Sequence, residues 1–269
     1  ERISNIIKKL PSIEKLVVVP YTEKNPDIIG LPNAILYKDF KASESNLEIE
    51  FEQLPFDHPI YIMYSSGTTG LPKCMVQSAG GILIHHLKEL MLHTDLKRED
   101  TIFYFTTCGW MMWNWLVSSL AVGATLVLFD GNPFHPNPGA LWKMAQDDKI
   151  TIFGTSAGYI AALQNAGVKP VKTYDLAPLK AVLSTGSPLS MEGFEYIYQE
   201  VKEDLQLASI SGGTDLNGCF ALGNPIGPVY SGELQCRGLA MKVMAFDEDG
   251  KSVINQQGEL VCAAPFPSM

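Results

Sequence analysis

The sequence predicts an α/β fold: largely parallel sheets with covering helices, followed by a β-rich subdomain that forms part of a barrel. Three observations carry this. Short apolar runs alternate with segments of helical periodicity over most of the chain, the pattern of strands paired in parallel and covered by helices. The alternation stops near residue 220, where Gly, Pro and turn dipeptides punctuate short strands. And 46% hydrophobic residues over 269 positions are enough for one large core or two modest ones.

The elements follow in order. Ile3, Ile6, Ile7 and Leu10 stand at i, i+3, i+4, i+7, so the chain opens on a helix. Strands are predicted over residues 16–19, 60–64, 101–105, 124–129, 151–153, 179–184 and 206–209. Helices are predicted over 81–92, 116–121, 141–148, 158–166 and 191–201. Later strands are expected at 241–246 and 260–263, with Asp249-Gly250 as a hairpin turn. Residues 46–58 read as a connector. The division expected is therefore 1–45 as a partial first α/β subdomain, 46–219 as the main α/β subdomain and 220–269 as the β-rich one.

Composition excludes several classes. Charged residues make up only 18% of the chain, so it is globular rather than disordered. The net charge of −9 repels polyphosphate backbones and argues against nucleic acid as a partner. The most apolar stretch, 115–129, is too short to span a membrane and carries Ser118, Ser119 and Gly123. Five cysteines, an odd number with no CxxC spacing, argue against a disulfide framework or zinc site and for a reducing cytoplasm. His85, His86, His93 and His135 have no ligand set beside them in sequence and read as packing or surface residues.

The strongest local signal is Tyr64-Ser65-Ser66-Gly67-Thr68-Thr69-Gly70-Leu71-Pro72-Lys73. A predicted strand runs into five small hydroxyl or glycine residues, then Gly70 and Lys73. Small residues let backbone N–H groups reach phosphate oxygens, the hydroxyls add donors, and the lysine adds charge. The spacing is not that of a Walker A loop, because Lys73 follows Gly70 by three residues and Cys74 follows the lysine.

This run resembles the phosphate loop of the adenylate-forming superfamily, which includes acyl-CoA synthetases. Gly186-Ser187-Pro188, Gly213-Thr214-Asp215 and Gly258-Glu259-Leu260 resemble that family's later motifs in the same order. Gly109-Trp110-Met111-Met112-Trp113-Asn114-Trp115 and Gly232-Glu233-Leu234-Gln235-Cys236-Arg237-Gly238 look most like the acetoacetyl-CoA synthetase branch. The resemblance covers nearly the whole chain after residue 15.

The resemblance implies ATP-dependent adenylation of a short carboxylic acid, then transfer to coenzyme A, with Mg²⁺ as the ion. It implies that Ser65, Ser66, Gly67, Thr68, Thr69, Gly70 and Lys73 hold the β- and γ-phosphates and that Thr214 meets the α-phosphate. Gly186, Ser187, Pro188, Ser209, Ile210, Ser211, Gly212 and Gly213 would frame the adenine. Asp215 would hold the metal, although the family usually has the longer Glu there. Trp110, Met111, Met112 and Gly212 would shape the acid pocket. Gly212 has two readings: it replaces a pocket-closing aromatic of acetyl-CoA synthetases, or it serves a backbone turn. Thr69, Lys73 and Thr214 are the expected catalytic contacts. An enzyme for another short acid such as acetate or propionate, and a non-catalytic nucleotide-binding homologue, are the competing readings. The family's ribose-binding motif, hinge and small C-terminal catalytic domain are not found in the sequence, so this chain alone is expected to be inactive as a ligase.

Overall fold

The computed structural model describes residues 2–41, 48–65 and 70–269. They form two compact units, Glu1–Gln53 and Leu54–Met269. The first holds α1 (Arg2–Ile7), β1 (Leu16–Val18), β2 (Ala34–Leu36) and α2 (Tyr37–Phe40), with β1 and β2 paired in parallel. The expected helix and first strand are present. β2 and α2 are too short for their periodicity to show in sequence.

The second unit opens with β3 (Pro59–Ser65) and β4 (Lys73–Ser78), an antiparallel pair with Ser65 opposite Lys73. The sequence predicts no strand between 64 and the helix over 81–92, where the structure has β4. The loop joins the two arms of a hairpin. Residues 66–69, and with them Ser66, Gly67, Thr68 and Thr69, lie outside the described residues. α3 (Ala79–Lys88) leaves directly from β4 and ends in a π-helical turn, Glu89–His93.

Then follow β5 (Thr101–Tyr104), α4 (Met111–Val117), β6 (Thr125–Val127), α5 (Ala140–Asp147), β7 (Ile152–Ser156), α6 (Ala157–Asn165), α7 (Pro170–Thr173), β8 (Ala181–Thr185), α8 (Met191–Tyr196) and β9 (Gln206–Ser209). α4 starts earlier than residue 116, because Met111 and Met112 already belong to its buried face. Ser156 and Ser190 cap α6 and α8 by accepting the Tyr159 and Gly193 N–H groups.

Five of these strands form one all-parallel sheet in the order β6-β5-β7-β8-β9. Its two faces carry different residues of the same strands. Phe103, Phe153, Val182 and Leu207 face one core with Leu141, Trp142, Ile160 and Phe194. Ile102, Tyr104, Ile152, Ala181, Leu183 and Ala208 face the other with Leu90, Met111, Met112 and Trp115. Burial on both faces is why the centres of these strands are apolar at successive positions rather than alternating.

The chain ends in two antiparallel sheets. β10 (Ser211–Gly213), β11 (Gly218–Leu222) and β12 (Cys236–Arg237) form one; β13 (Val243–Phe246), β14 (Ser252–Val253) and β15 (Glu259–Cys262) form the other. Asp249-Gly250 turns β13 into β14 as expected, with Gly250 at φ +74° and the Asp247 carboxylate accepting the Lys251 N–H at 2.8 Å. Among the described residues, no helix is long and apolar enough to cross a membrane.

Candidate active site

The sheet leaves a cleft of about 350 Å³ at the C-terminal ends of β8 and β9. Open parallel sheets bind ligands at this end of their strands. Three separate stretches converge there: Trp110, Met111 and Met112 at the start of α4; Gly186, Ser187 and Pro188 after β8; and Ser209 through β10 to Thr214. The residues singled out from these three stretches in the sequence thus line one space. Thr185, Leu189, Gly218, Cys219, Gly232 and Leu234 complete the lining. Gly232 and Leu234 fall in a run already noted in the sequence. For Gly218 and Cys219 only the chain's return through β11 reveals the role.

The strand ends are held firmly. The Ile210 N–H donates to Ser184 O at 2.8 Å, and the Thr185 hydroxyl donates to Ile210 O at 3.1 Å. Gly186 turns the chain out of β8 with φ +89°, a conformation that side chains disfavour. A Cβ on Gly212 would run into the carbonyl oxygen of Gly218 on the neighbouring strand. Gly212 lines the cleft, but what it makes room for is the close approach of β11. Of its two readings, the geometry favours the backbone one.

Ser65, Gly70, Lys73 and Asp215 stand outside the cleft lining. Lys73 is exposed at the first position of β4, and Asp215 is exposed beyond β10. One buried side chain links these two segments. Gln77 of β4 donates to Thr214 O at 3.3 Å and Asp215 O at 3.4 Å, and accepts from the Asn217 amide at 2.9 Å. Asn217 sits at φ +47° in the turn that follows Asp215, and its carbonyl accepts from His86 Nε2 at 2.6 Å. Sequence reasoning missed Gln77 and Asn217, which carry no motif.

The histidines prove to be packing residues where they are buried. Desolvation holds the His86 imidazole down at about 4 despite the opposing pull of Glu89 and the Asn217 carbonyl. His93 Nδ1 donates to Gly223 O at 2.7 Å and Nε2 accepts the Leu239 N–H at 3.0 Å, which defines the neutral tautomer. Among the described residues, no group of three His, Cys, Asp or Glu could hold a metal ion. All five cysteines are free thiols.

A larger hollow of about 630 Å³ lies where β7, β8 and β9 begin. Its two lysines are already engaged: Lys180 with Asp100 at 2.6 Å, and Lys202 with the carbonyls of Ala177 and Leu179 at 2.8 and 2.6 Å. The strand-end cleft is therefore the better ligand site.

A parallel sheet covered on both faces, with a cleft at its strand ends turned by Gly186, defines an open α/β fold of the kind that binds ligands at that edge. The chain belongs to the AMP-binding enzyme family, which matches residues 5–268. It is 50% identical over 272 residues to the acetoacetyl-CoA synthetase of Mus musculus, covering 99% of this chain and 40% of that protein. To the acetoacetyl-coenzyme A synthetase of Rhizobium meliloti (strain 1021) it is 51% identical over 254 residues, or 94% and 39% of the two chains. The solved acetoacetyl-CoA synthetase from Streptomyces lividans superimposes with a TM-score of 0.89 at 43% identity, covering 99% of this chain and 41% of that one. The anthranilate CoA ligase AuaEII shares the fold, with a TM-score of 0.79 at 21% identity. The chain thus spans about 40% of the length of the curated relatives it matches.

Proposed function

We propose that the strand-end cleft is the adenylation site of an acid–CoA ligase, and that the full-length protein converts acetoacetate, ATP and coenzyme A to acetoacetyl-CoA, AMP and pyrophosphate. The observation that carries this reading is the convergence of Trp110–Met112, Gly186–Pro188 and Ser209–Thr214 on one cleft. The similarity to acetoacetyl-CoA synthetases supports the choice of acid.

In the first step a carboxylate oxygen of the acid attacks the α-phosphorus of ATP. One P–O bond forms, the bond to the β-phosphate bridge breaks, and pyrophosphate leaves with the electron pair. The substrate is its own nucleophile, so the protein's work is to position two anions and stabilise the charge that moves to the leaving group. Lys73 and the loop that precedes it bind the β- and γ-phosphates. Thr214 meets the α-phosphate. The backbone at Gly186–Pro188 and Ser209–Gly213 frames the adenine, and the apolar wall of Trp110, Met111 and Met112 receives the acid.

Mg²⁺ ordinarily keeps several waters and takes one or two carboxylates plus substrate phosphates. A single exposed carboxylate, Asp215, fits that demand. When bound, the ion would neutralise phosphate charge. We place residues 46–219 as the nucleotide-binding part and 220–269 as the β-rich part of the parent protein. Free thiols at all five cysteines fit a cytoplasmic protein.

The test is pyrophosphate release by the full-length protein with Mg-ATP, coenzyme A and a panel of acetate, propionate, butyrate and acetoacetate. A clear preference for acetoacetate is expected. Better turnover of another acid keeps the ligase class and discards acetoacetate; release with none discards the class.

A further inference from the structure

The adenylation chemistry leaves unused a fully buried charge that lies beside the cleft. Glu89 opens the π-helical turn after α3 and has no exposed side-chain surface. Its carboxylate is nonetheless well supplied. Oε2 accepts the Trp115 indole N–H at 2.9 Å, and Oε1 accepts the backbone N–H of Cys219 at 2.9 Å. His85 Nε2 lies 2.9 Å and Lys88 Nζ 3.2 Å from Oε1. Burial by itself would push this carboxyl up, but the bond from His85, the charges of His85 and Lys88 and the Cys219 N–H hold it at about 2. It is ionised at neutral pH.

One of these donors, Cys219, lines the cleft, and another, Trp115, stands on the helix whose first residues do. Trp115 lies on α4, three and four residues after Met112 and Met111, and so shares their face of the helix. Cys219 and its neighbour Gly218 line the cleft from β11. A Cβ on Gly218 would run into the His85 ring, so β11 is seated directly against the same cluster. The carboxylate thus joins the helix that carries the Met111–Met112 wall to the strand that faces it. Turns of π-helix recur at functional sites, and this one aims a buried charge at the junction of two pocket walls.

We propose that Glu89 is a positioning residue for the acid end of the cleft: through the Trp115 indole and the Cys219 N–H it sets the spacing of α4 and β11, and with it the size of acid that fits. Glu89 does not touch the substrate. The inference rests on the reading above, in which the Trp110–Met112 end takes the acid.

The test compares two variants of the full-length protein by steady-state pyrophosphate release. Glu89→Gln keeps the shape but sets an amide NH₂ against one of the two N–H donors. It is expected to raise the KM for the preferred acid by about tenfold or more, and to change the preference between acetoacetate and butyrate by a similar factor. The KM for Mg-ATP should stay within about twofold. Trp115→Phe keeps a ring and removes one donor, and should move the acid KM the same way by about threefold to tenfold. If Glu89→Gln does not fold, Trp115→Phe carries the test. Equal rises in both KM values mark a general loss of structure and overturn the proposal. So does an unchanged acid KM in the folded variants of an active protein. A wild-type protein that adenylates no acid overturns the underlying reading, and this inference with it.

Discussion

The sheet that lines the cleft and the β3–β4 hairpin outside its lining are held by different physics. On the sheet side, β7, β8 and β9 are buried on both faces, and Ile210 at the end of β9 is tied to β8 through Ser184 O and the Thr185 hydroxyl. On the hairpin side, β3 and β4 expose Ile60, Ile62, Tyr64 and Val76, and Lys73 stands in solvent. The described hairpin is tied to the Thr214–Asp215 turn by the single amide of Gln77 rather than by apolar packing. The part proposed to frame the adenine is built by packing on both faces of the sheet, whereas the hairpin proposed to hold the phosphates packs Met63 against that core and adds the polar bonds of Gln77.

That contrast predicts a graded series in the full-length protein. Trp142, stacked on Phe153 at 4.4 Å between ring centroids, lies in the sheet core with no exposed surface. Trp142→Ala should cost about 3–5 kcal/mol by denaturant unfolding. A loss below about 1 kcal/mol would mean that the sheet side is not packing-dominated.

The next effect is a pH dependence. His86 falls from an unfolded value of 6.5 to about 4 in the fold, so the unfolded chain binds more protons between those values. Its contribution is complete above pH 6.5 and is lost as pH falls towards 4, by up to ~3 kcal/mol. Glu89, moved from 4.5 to about 2, is also lost on acidification, but in the lower window between those values. Melting temperatures from pH 7 to 4 should fall less steeply in His86→Gln than in wild type. Parallel curves would contradict the assignment.

Gln77→Leu removes the amide that joins the hairpin to the Thr214–Asp215 turn and leaves the Asn217 NH₂ unpaired. It should cost about 1–3 kcal/mol and raise the KM for Mg-ATP more than that for the acid. An effect on the acid alone would break the link drawn between hairpin and turn. The smallest effect on stability is expected from Lys73→Ala, within about 0.5 kcal/mol because the residue is exposed. The same change should raise the KM for Mg-ATP by about tenfold or more.

The same contrast decided what could be read from sequence. Strands buried on both faces show as short segments rich in apolar residues, so 101–105, 151–153, 179–184 and 206–209 were legible. β4 was not, because its apolar run is only Cys74, Met75 and Val76, set between Lys73 and Gln77 directly after the glycine-rich loop. The glycine turns and the Trp110-Met111-Met112 segment were legible as motifs, and the fold brings them to one cleft. Gln77 and Glu89 were not, since their decisive partners lie 137 and 130 residues away. A polar side chain whose purpose is a distant backbone group leaves no periodicity and no motif.

The most direct test of the account is a crystal structure of the full-length protein with a non-hydrolysable acyl-adenylate analogue. The account predicts the adenine against Gly186–Pro188 and the acyl chain against Trp110, Met111 and Met112. An analogue bound in the hollow at the strand starts, or in the cleft with its two ends reversed, would contradict it.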